Sequence, residues 1–357
     1  MPLGGSLPDL DEYFLSLSRM HDDLWAICWK NNLQTQIGGP KVYSYQGESN
    51  WRRFVVERLK KIEPDVVHLF SYRGSFLLPL MYRRTKWIFD IRSAVVSNSP
   101  WRRSLGNNFN RFQALFFERR VAIFEGLAKK VYKGLDKKKV FILPLGADFN
   151  RFKPLDDGNQ RRILRGQLGY SPEDIVIIYV GSLSASRQPV GILRLAERFR
   201  HHEKVKWLVI GHGSEERTFK QEKEKGGLTN VQFLGVVPYD STHKYYQIAD
   251  IGFAYVPTVD FYMDQPPLKT IEMLASGLPI LGTATNGNRL FVKDGFNGRL
   301  CQWSTAELAI GLSDMLRQLP KYKSNTLHDR KNKMEYHWDN IVKSKLLEYY
   351  RTVYEQE

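Results

Sequence analysis

The chain has 357 residues, 42% of them hydrophobic and 13% aromatic, which is ample for two buried cores. Its two cysteines, Cys28 and Cys301, exclude a disulfide framework, no zinc-ligand spacing is present, and both facts fit a reducing compartment. No apolar run approaches the roughly 20 residues of a membrane-spanning helix, and the N-terminus lacks a secretory-signal pattern, so a cytoplasmic location is expected. The formal charge of +15 is unevenly spread: residues 1–154 hold 26 Lys and Arg against 14 Asp and Glu, a net of +12, and residues 155–357 a net of +3. A basic half of this kind suits nucleic acid, an anionic membrane surface or a phosphate-bearing substrate, and is equally compatible with a solvated surface.

In chain order, Glu12–Met20 reads as a helix, Leu24–Cys28 as a strand and Trp51–Ile62 as an amphipathic helix. Val66–Phe70 reads as a strand, Phe76–Arg83 as a helix and Trp87–Ile91 as a strand. A long helix is expected over Phe109–Val131, because Phe117, Val121, Phe124, Ala128 and Val131 recur at helical spacing. Its basic neighbours Arg111, Arg119, Arg120, Lys129 and Lys130, with Arg102, Arg103 and Lys137–Lys139, form either a solvated face or one turned to anionic lipid head groups. Residues Pro154–Asn159 read as a linker. Beyond it, strands are expected at Ile175–Val180, Trp207–Ile210, Val231–Leu234, Ile251–Tyr255 and Pro279–Gly282. Helices are expected at Gly191–Phe199, Glu215–Lys225, Ala306–Gln318 and Trp338–Tyr354. This alternation predicts a parallel sheet covered on both faces.

One segment, Pro266 to Thr283, carries the most chemistry. Two prolines open a helix, Leu268, Ile271, Leu274 and Ala275 follow at helical spacing, Gly277 suits the cap and Pro279 forbids continuation. Glu272 breaks the apolar pattern, and a buried carboxylate needs a partner. Beside a helix start that attracts phosphate, a ribose diol fits; a lysine or arginine within the same domain fits as well.

This segment closely resembles the nucleotide-sugar signature of retaining GT-B glycosyltransferases of the family-4 type. Tyr179-Val180-Gly181-Ser182-Leu183 with Arg187, Val209-Ile210-Gly211-His212-Gly213, Asn230 to Gly235, Ile248-Ala249-Asp250-Ile251 and Asp294 to Gly298 resemble further pieces of that family, in the same order. The resemblance implies two Rossmann-like α/β domains facing a cleft, the first over residues 1–154 with the helix 338–357 returning to it, the second over 155–337. The family's opening strand is missing here, since Gly4-Gly5 stands almost at the start.

The resemblance also implies roles. Glu272 accepts hydrogen bonds from the donor ribose. Arg187 and Lys269 neutralise the diphosphate, joined by the backbone N–H groups of Leu268 and Lys269 after Pro267. Gly181 and Ser182 line the phosphate loop, Ser182 standing where the family has an arginine, and Gly235 and Val236 border the base. Gln265 stands where the family often has a second glutamate. On the acceptor side the resemblance points to Gly4, Gly5, His68, Asp90 and Arg92. Asp90 either orients or deprotonates an acceptor hydroxyl, or pairs with Arg92 or caps the next helix; His68 is either catalytic or a satisfied core histidine. The implied reaction moves a sugar from a UDP- or GDP-sugar to a glycan or lipid-linked saccharide with no metal or other cofactor, in an enzyme that is cytoplasmic or peripheral on the inner membrane face. The rivals are a degenerate nucleotide-sugar-binding homologue and a nucleic-acid-binding protein. The second lacks any helix-turn-helix, zinc-finger or RNA-recognition signature, so nucleic acid is not an expected partner.

Overall fold

The computed structural model describes residues 8–20, 23–29, 41–45, 47, 50–155 and 157–355. The chain divides into two compact units, changing over between Gly146 and Ala147 and again between Glu335 and Tyr336. The expected boundary at Pro154 lies later, because Phe149 and Phe152 are already buried in the second unit, Phe152 against the rings of Tyr239 and Tyr246.

In the first unit, β1 (Trp25–Trp29) and β2 (Lys41–Tyr45) pair in parallel. Strands β3 (Val66–Phe70), β4 (Lys86–Ile91), β5 (Arg119–Ala122) and β6 (Val140–Ile142) form a parallel sheet in that order. Helix Trp51–Ile62 is capped by Asn50, whose side chain accepts from the Arg52 N–H. Phe89 of β4 stacks on Phe117 at 4.5 Å, and Ile88, Ile91 and Val121 are fully buried around them. Residues 1–7 lie outside the described residues, and with them Gly4, Gly5 and the expectation about the opening strand.

The long helix expected over Phe109–Val131 is instead the end of helix Pro100–Ala114, then β5, then helix Glu125–Val131. Arg120 is buried and its Nε donates to the Ala114 carbonyl, so it does not belong to a lipid-facing surface. After Glu335 the chain returns to this unit through helix Trp338–Ile341, a π-helical turn Val342–Leu346 and helix Leu347–Glu355. Asp339 accepts from Ser16 and from Arg19, and Lys86 Nζ donates to the Tyr354 carbonyl at 2.7 Å.

The second unit is built on six parallel strands. These are β7 (Ile175–Val180), β8 (Val205–Ile210), β9 (Val231–Gly235), β10 (Ile251–Ala254), β11 (Ile280–Thr283) and β12 (Gly298–Cys301). Their order across the sheet is β9-β8-β7-β10-β11-β12, the doubly wound dinucleotide-binding order, which reverses between β7 and β10. The continuous apolar runs follow from burial on both faces, with Trp207 of β8 packed edge-on against Phe253 of β10 at 5.6 Å. In such sheets ligands bind beyond the C-terminal strand ends at the reversal point.

At the other end of the reversal, Asp250 ties the start of β10 to its surroundings. Its carboxylate accepts from Val176 N–H at 2.9 Å and pairs with Arg161 at 2.9 Å, Lys323 at 2.6 Å and Arg165. Arg161 and Arg165 come from helix Gly158–Gln167, which begins within the stretch read as a linker; Asp157 caps it by accepting from Asn159 and Gln160 N–H.

Candidate active site

The β7–β10 reversal is closed by side chains from the two following loops. Ser186 Oγ lies 2.8 Å from Tyr262 Oη, and the Arg187 guanidinium lies over the Tyr262 ring at 3.9 Å. Arg187 ends a single 3-10 turn, Ala185–Arg187, stopped by Gln188 in the left-handed conformation. From the opposite side, Lys269 in the first turn of helix Leu268–Ala275 places its ammonium over the Tyr179 ring at 3.8 Å. A carbon added at Gly181 would sit 3.2 Å from that ammonium, so Gly181 leaves the room it occupies. The Lys269 stem is partly exposed but the ammonium is enclosed. Burial pushes its pKa well below the usual lysine value, and the charge of Arg187 pushes the same way.

Among the described residues neither Lys269 nor Arg187 pairs with a carboxylate; aromatic faces hold both. Two cations that repel one another in a low-dielectric pocket are suited to receive an anion. Pro267 is the N-cap of the helix and the first intrahelical bond runs from Thr270 N–H to Pro267 C=O. The N–H groups of Leu268 and Lys269 therefore precede the ladder, at the positive end of the helix. Thr270 Oγ1 donates to Asn288 Oδ1 at 3.0 Å, and Asn288 Nδ2 donates to the Ala254 and Thr283 carbonyls, which fixes this helix start on β10 and β11.

Glu272 lies one turn further on and is 4% exposed. Tyr239 Oη donates to its Oε1 at 2.8 Å and Tyr246 Oη to its Oε2 at 3.4 Å. Burial, then the Glu272 charge, pushes the Tyr246 hydroxyl well above the usual tyrosine pKa, so it stays a donor. The base-side segment leads directly here: Gly235 ends β9 in the left-handed conformation, Val236 is exposed, and Pro238 hands the chain to Tyr239. Ser182 is exposed, and its carbonyl accepts from Tyr179 Oη at 3.0 Å. Gln265 sits in the loop before Pro266, its carbonyl packed against Gly287.

In the first unit, Asp90 near the end of β4 is fully buried. Its Oδ2 meets His68 Nε2 at 3.0 Å and Arg92 Nε at 3.1 Å, and His68 Nδ1 lies 2.7 Å from Tyr350 Oη. Arg92 is held over the rings of Tyr13 and Phe70 at 4.7 and 5.5 Å. Burial raises the Tyr350 hydroxyl above the usual tyrosine pKa. With Nε2–H donated to Asp90, Nδ1 accepts from Tyr350. Asp90 thus pairs with Arg92, one of the arrangements the sequence left open, and also positions His68.

Residues 160–326 match the glycosyl transferases group 1 family. That match lies wholly within the second unit, which is similar to a group 1 glycosyltransferase domain. A D-inositol 3-phosphate glycosyltransferase of Nocardia farcinica is 25% identical over 232 residues, which covers 62% of this chain and 49% of that protein. The chain thus spans about half the length of the curated relatives it matches. A glycosyltransferase from Rickettsia africae superposes with a TM-score of 0.78 at 14% identity, over 99% of this chain and 97% of the other. Anabaena Alr3699/HepE in complex with UDP-glucose gives 0.77 at 16% identity, over 98% and 97%. These likenesses establish the fold, two Rossmann-like domains of the GT-B type.

Within the second unit, the sequence reading missed Tyr179 and Tyr262 as supports for the cations and Tyr246 as a partner of Glu272. Only Tyr179, next to a strand end, carried a positional signal. The turn at Gly211 requires glycine twice over: its φ of +145° is one that L side chains rarely adopt, and a carbon there would lie 1.8 Å from the Gly181 carbonyl oxygen. Gly211→Ala must therefore displace the loop after β7, which carries Gly181 beside the Lys269 ammonium. We expect a loss of about 1–3 kcal/mol in urea unfolding together with weaker nucleotide binding; unchanged stability and binding would show that the loops separate without cost.

Proposed function

We propose that this chain is a retaining glycosyltransferase that transfers a sugar from a UDP- or GDP-sugar to a hydroxyl of a glycan or lipid-linked saccharide, without a metal ion. The observation that carries this reading is the uncompensated pair Lys269 and Arg187 at the sheet reversal, one helical turn from the Glu272 carboxylate. That spacing of cations and carboxylate matches a nucleoside diphosphate, whose diphosphate takes the cations and whose ribose hydroxyls donate to the acid. The structural neighbour from Anabaena, described in complex with UDP and with UDP-glucose, supports a nucleotide-sugar donor.

As the sugar–phosphate bond breaks, negative charge builds on the leaving diphosphate. Lys269, Arg187 and the N–H groups of Leu268 and Lys269 oppose it from fixed positions, so they stabilise the transition state more than the bound donor. Glu272, oriented by Tyr239 and Tyr246, holds the ribose, and the backbone at Gly235 and Val236 borders the base. The leaving phosphate takes the acceptor proton on the face where the bond broke, which retains the anomeric configuration.

Thermal unfolding with UDP, GDP, ADP and their sugar conjugates, first without metal and then with magnesium, tests the donor site. A ligand at 100 times its dissociation constant stabilises by about 2.7 kcal/mol, and Glu272→Ala is expected to remove the shift while leaving the unliganded melt in place. A shift that needs magnesium would overturn the metal-independent part. Ser182 and Gln265, where the family pattern has charged residues, favour the second reading of a binding protein without transfer; a nucleotide shift with no sugar transferred to any hydroxyl acceptor would select it.

A further inference from the structure

Helix Pro100–Ala114 is amphipathic in the wrong sense for a helix whose only partner is its own domain. Its inner side is mostly polar or small, with Phe109 and Phe112 packing at its edge on Phe76 at 6.5 and 5.4 Å. Gly106 packs against Val95, Asn107 Oδ1 accepts from the Val95 N–H, Arg103 donates to the Ser97 carbonyl at 2.6 Å, and Gln113 accepts from the Gly74 and Ser75 N–H groups. Its outer side carries Trp101, 65% exposed, Leu105, 61%, and Phe112, 45%, and Leu115 just past the helix end is 60% exposed. At 3.6 residues per turn these four fall within an arc of about 80°. Core-facing helices show the opposite arrangement. Seven of the twelve large hydrophobic residues exposed among those described lie between Leu80 and Leu115, the others of the seven being Leu80, Met81 and Val96. An exposed apolar patch of this density marks an interaction surface.

The charge around the stripe says what it meets. From Val66 to Phe117 there are eight Lys and Arg and a single acid, Asp90, which is buried and paired. Arg102 and Arg111 flank the apolar arc on opposite sides, and the Arg102 guanidinium lies 6.0 Å from the Trp101 ring. A second copy of this chain would bring two faces of the same positive sign together across a two-fold contact. Nucleic acid would use the cations but leave Leu105 and Leu115 in water. A surface with anionic head groups over hydrocarbon satisfies both: the arginines take the head groups and Trp101, Leu105, Phe112 and Leu115 enter the interface.

We propose that helix Pro100–Ala114 docks this protein on anionic lipid, with Trp101 and Leu105 inserted and Arg102 on the head groups. This stands apart from the transfer reaction and is measured without a donor. The test is sedimentation of the full chain with phosphatidylcholine vesicles, with and without phosphatidylglycerol. Binding is expected only with phosphatidylglycerol and is expected to fall with added salt. Trp101→Ser/Leu105→Ser should weaken it on the order of ten-fold or more, and Arg102→Gln about five-fold. Both changes are at exposed positions and should leave the melting temperature and the nucleotide response unchanged; Leu115→Ser gives an independent check at the far end of the stripe. Wild-type protein that ignores anionic vesicles overturns the proposal, as does binding unaffected by Trp101→Ser/Leu105→Ser. A dimer that dissociates in the double variant, or retention on nucleic acid with no response to vesicles, would assign the face to that other partner and overturn it too.

Discussion

Lys269→Met should make the empty protein more stable and the enzyme far slower. The ammonium is enclosed over the Tyr179 ring, burial and Arg187 both disfavour its charge, and no described carboxylate repays the cost. An apolar side chain of similar length keeps the packing and removes that penalty, which is worth on the order of 1 kcal/mol. In the proposed reaction the same change takes away one of the fixed charges facing the leaving diphosphate. Loss of a single preorganised group of this kind lowers kcat by about 10²–10³-fold. A rise in melting temperature with a fall in kcat is a signature that a purely structural lysine would not give. If both stability and turnover fell together, Lys269 would be part of the packing and the anion site would lie elsewhere.

The pH dependence follows from the same residue. Because its pKa is depressed in the folded state, the unfolded chain binds the extra proton between that depressed value and the ordinary lysine pKa of about 10.4. Wild-type stability therefore rises with pH across this window, and the advantage of Lys269→Met is greatest below it and gone above it. Donor affinity runs the other way, since diphosphate prefers the protonated ammonium: it should weaken as pH rises through the depressed value. A nucleotide titration by calorimetry at several pH values measures both the affinity and the proton uptake.

What the sequence disclosed depends on how locally each feature is encoded. Strands β7 and β8 and helix Leu268–Ala275 were readable because burial on both faces leaves an unbroken apolar run, and because Pro267 and Gly277 mark the helix ends within the segment itself. Strand β5 was hidden because it has four residues, two of them arginines, and because Phe117, Val121 and Phe124 happen to fall at helical spacing. Helix Gly158–Gln167 was obscured by a polar start, although Asp157 with Gln160 three residues on was a capping signal. Glu272 could be singled out from sequence as an acid among apolar neighbours. Its partners Tyr239 and Tyr246 could not, since they reach it from 33 and 26 residues away through the packing of another helix. Likewise the cations of the anion site were visible as residue types, while the aromatic faces that hold them without acids exist only in the fold.

Asp250→Ala is expected to cost the second unit about 3–5 kcal/mol, the price of removing one partner from a buried ion cluster. Arg165 is fully buried and Arg161 and Lys323 bind the same carboxylate, so the variant leaves three positive charges facing one another with the Val176 N–H unpaired. Urea unfolding should show a lower midpoint at an unchanged slope. Burial alone would raise the Asp250 pKa, but Lys323, then Arg165 and Arg161, pull it below the usual aspartate value. With a depressed folded pKa, its contribution is complete above the unfolded value of about 3.9 and is lost as pH falls through the folded one. Asp250→Ala should therefore differ most from the wild type at neutral pH and converge with it in acid. The cluster sits at the N-terminal edge of β10, opposite the strand ends that carry Lys269 and Arg187, so whatever Asp250→Ala protein remains folded at low temperature should still respond to nucleotide. Loss of that response in folded protein would mean that the β7–β10 reversal is mechanically coupled from end to end, and that the cations are held in place by Asp250 as well as by their aromatic supports.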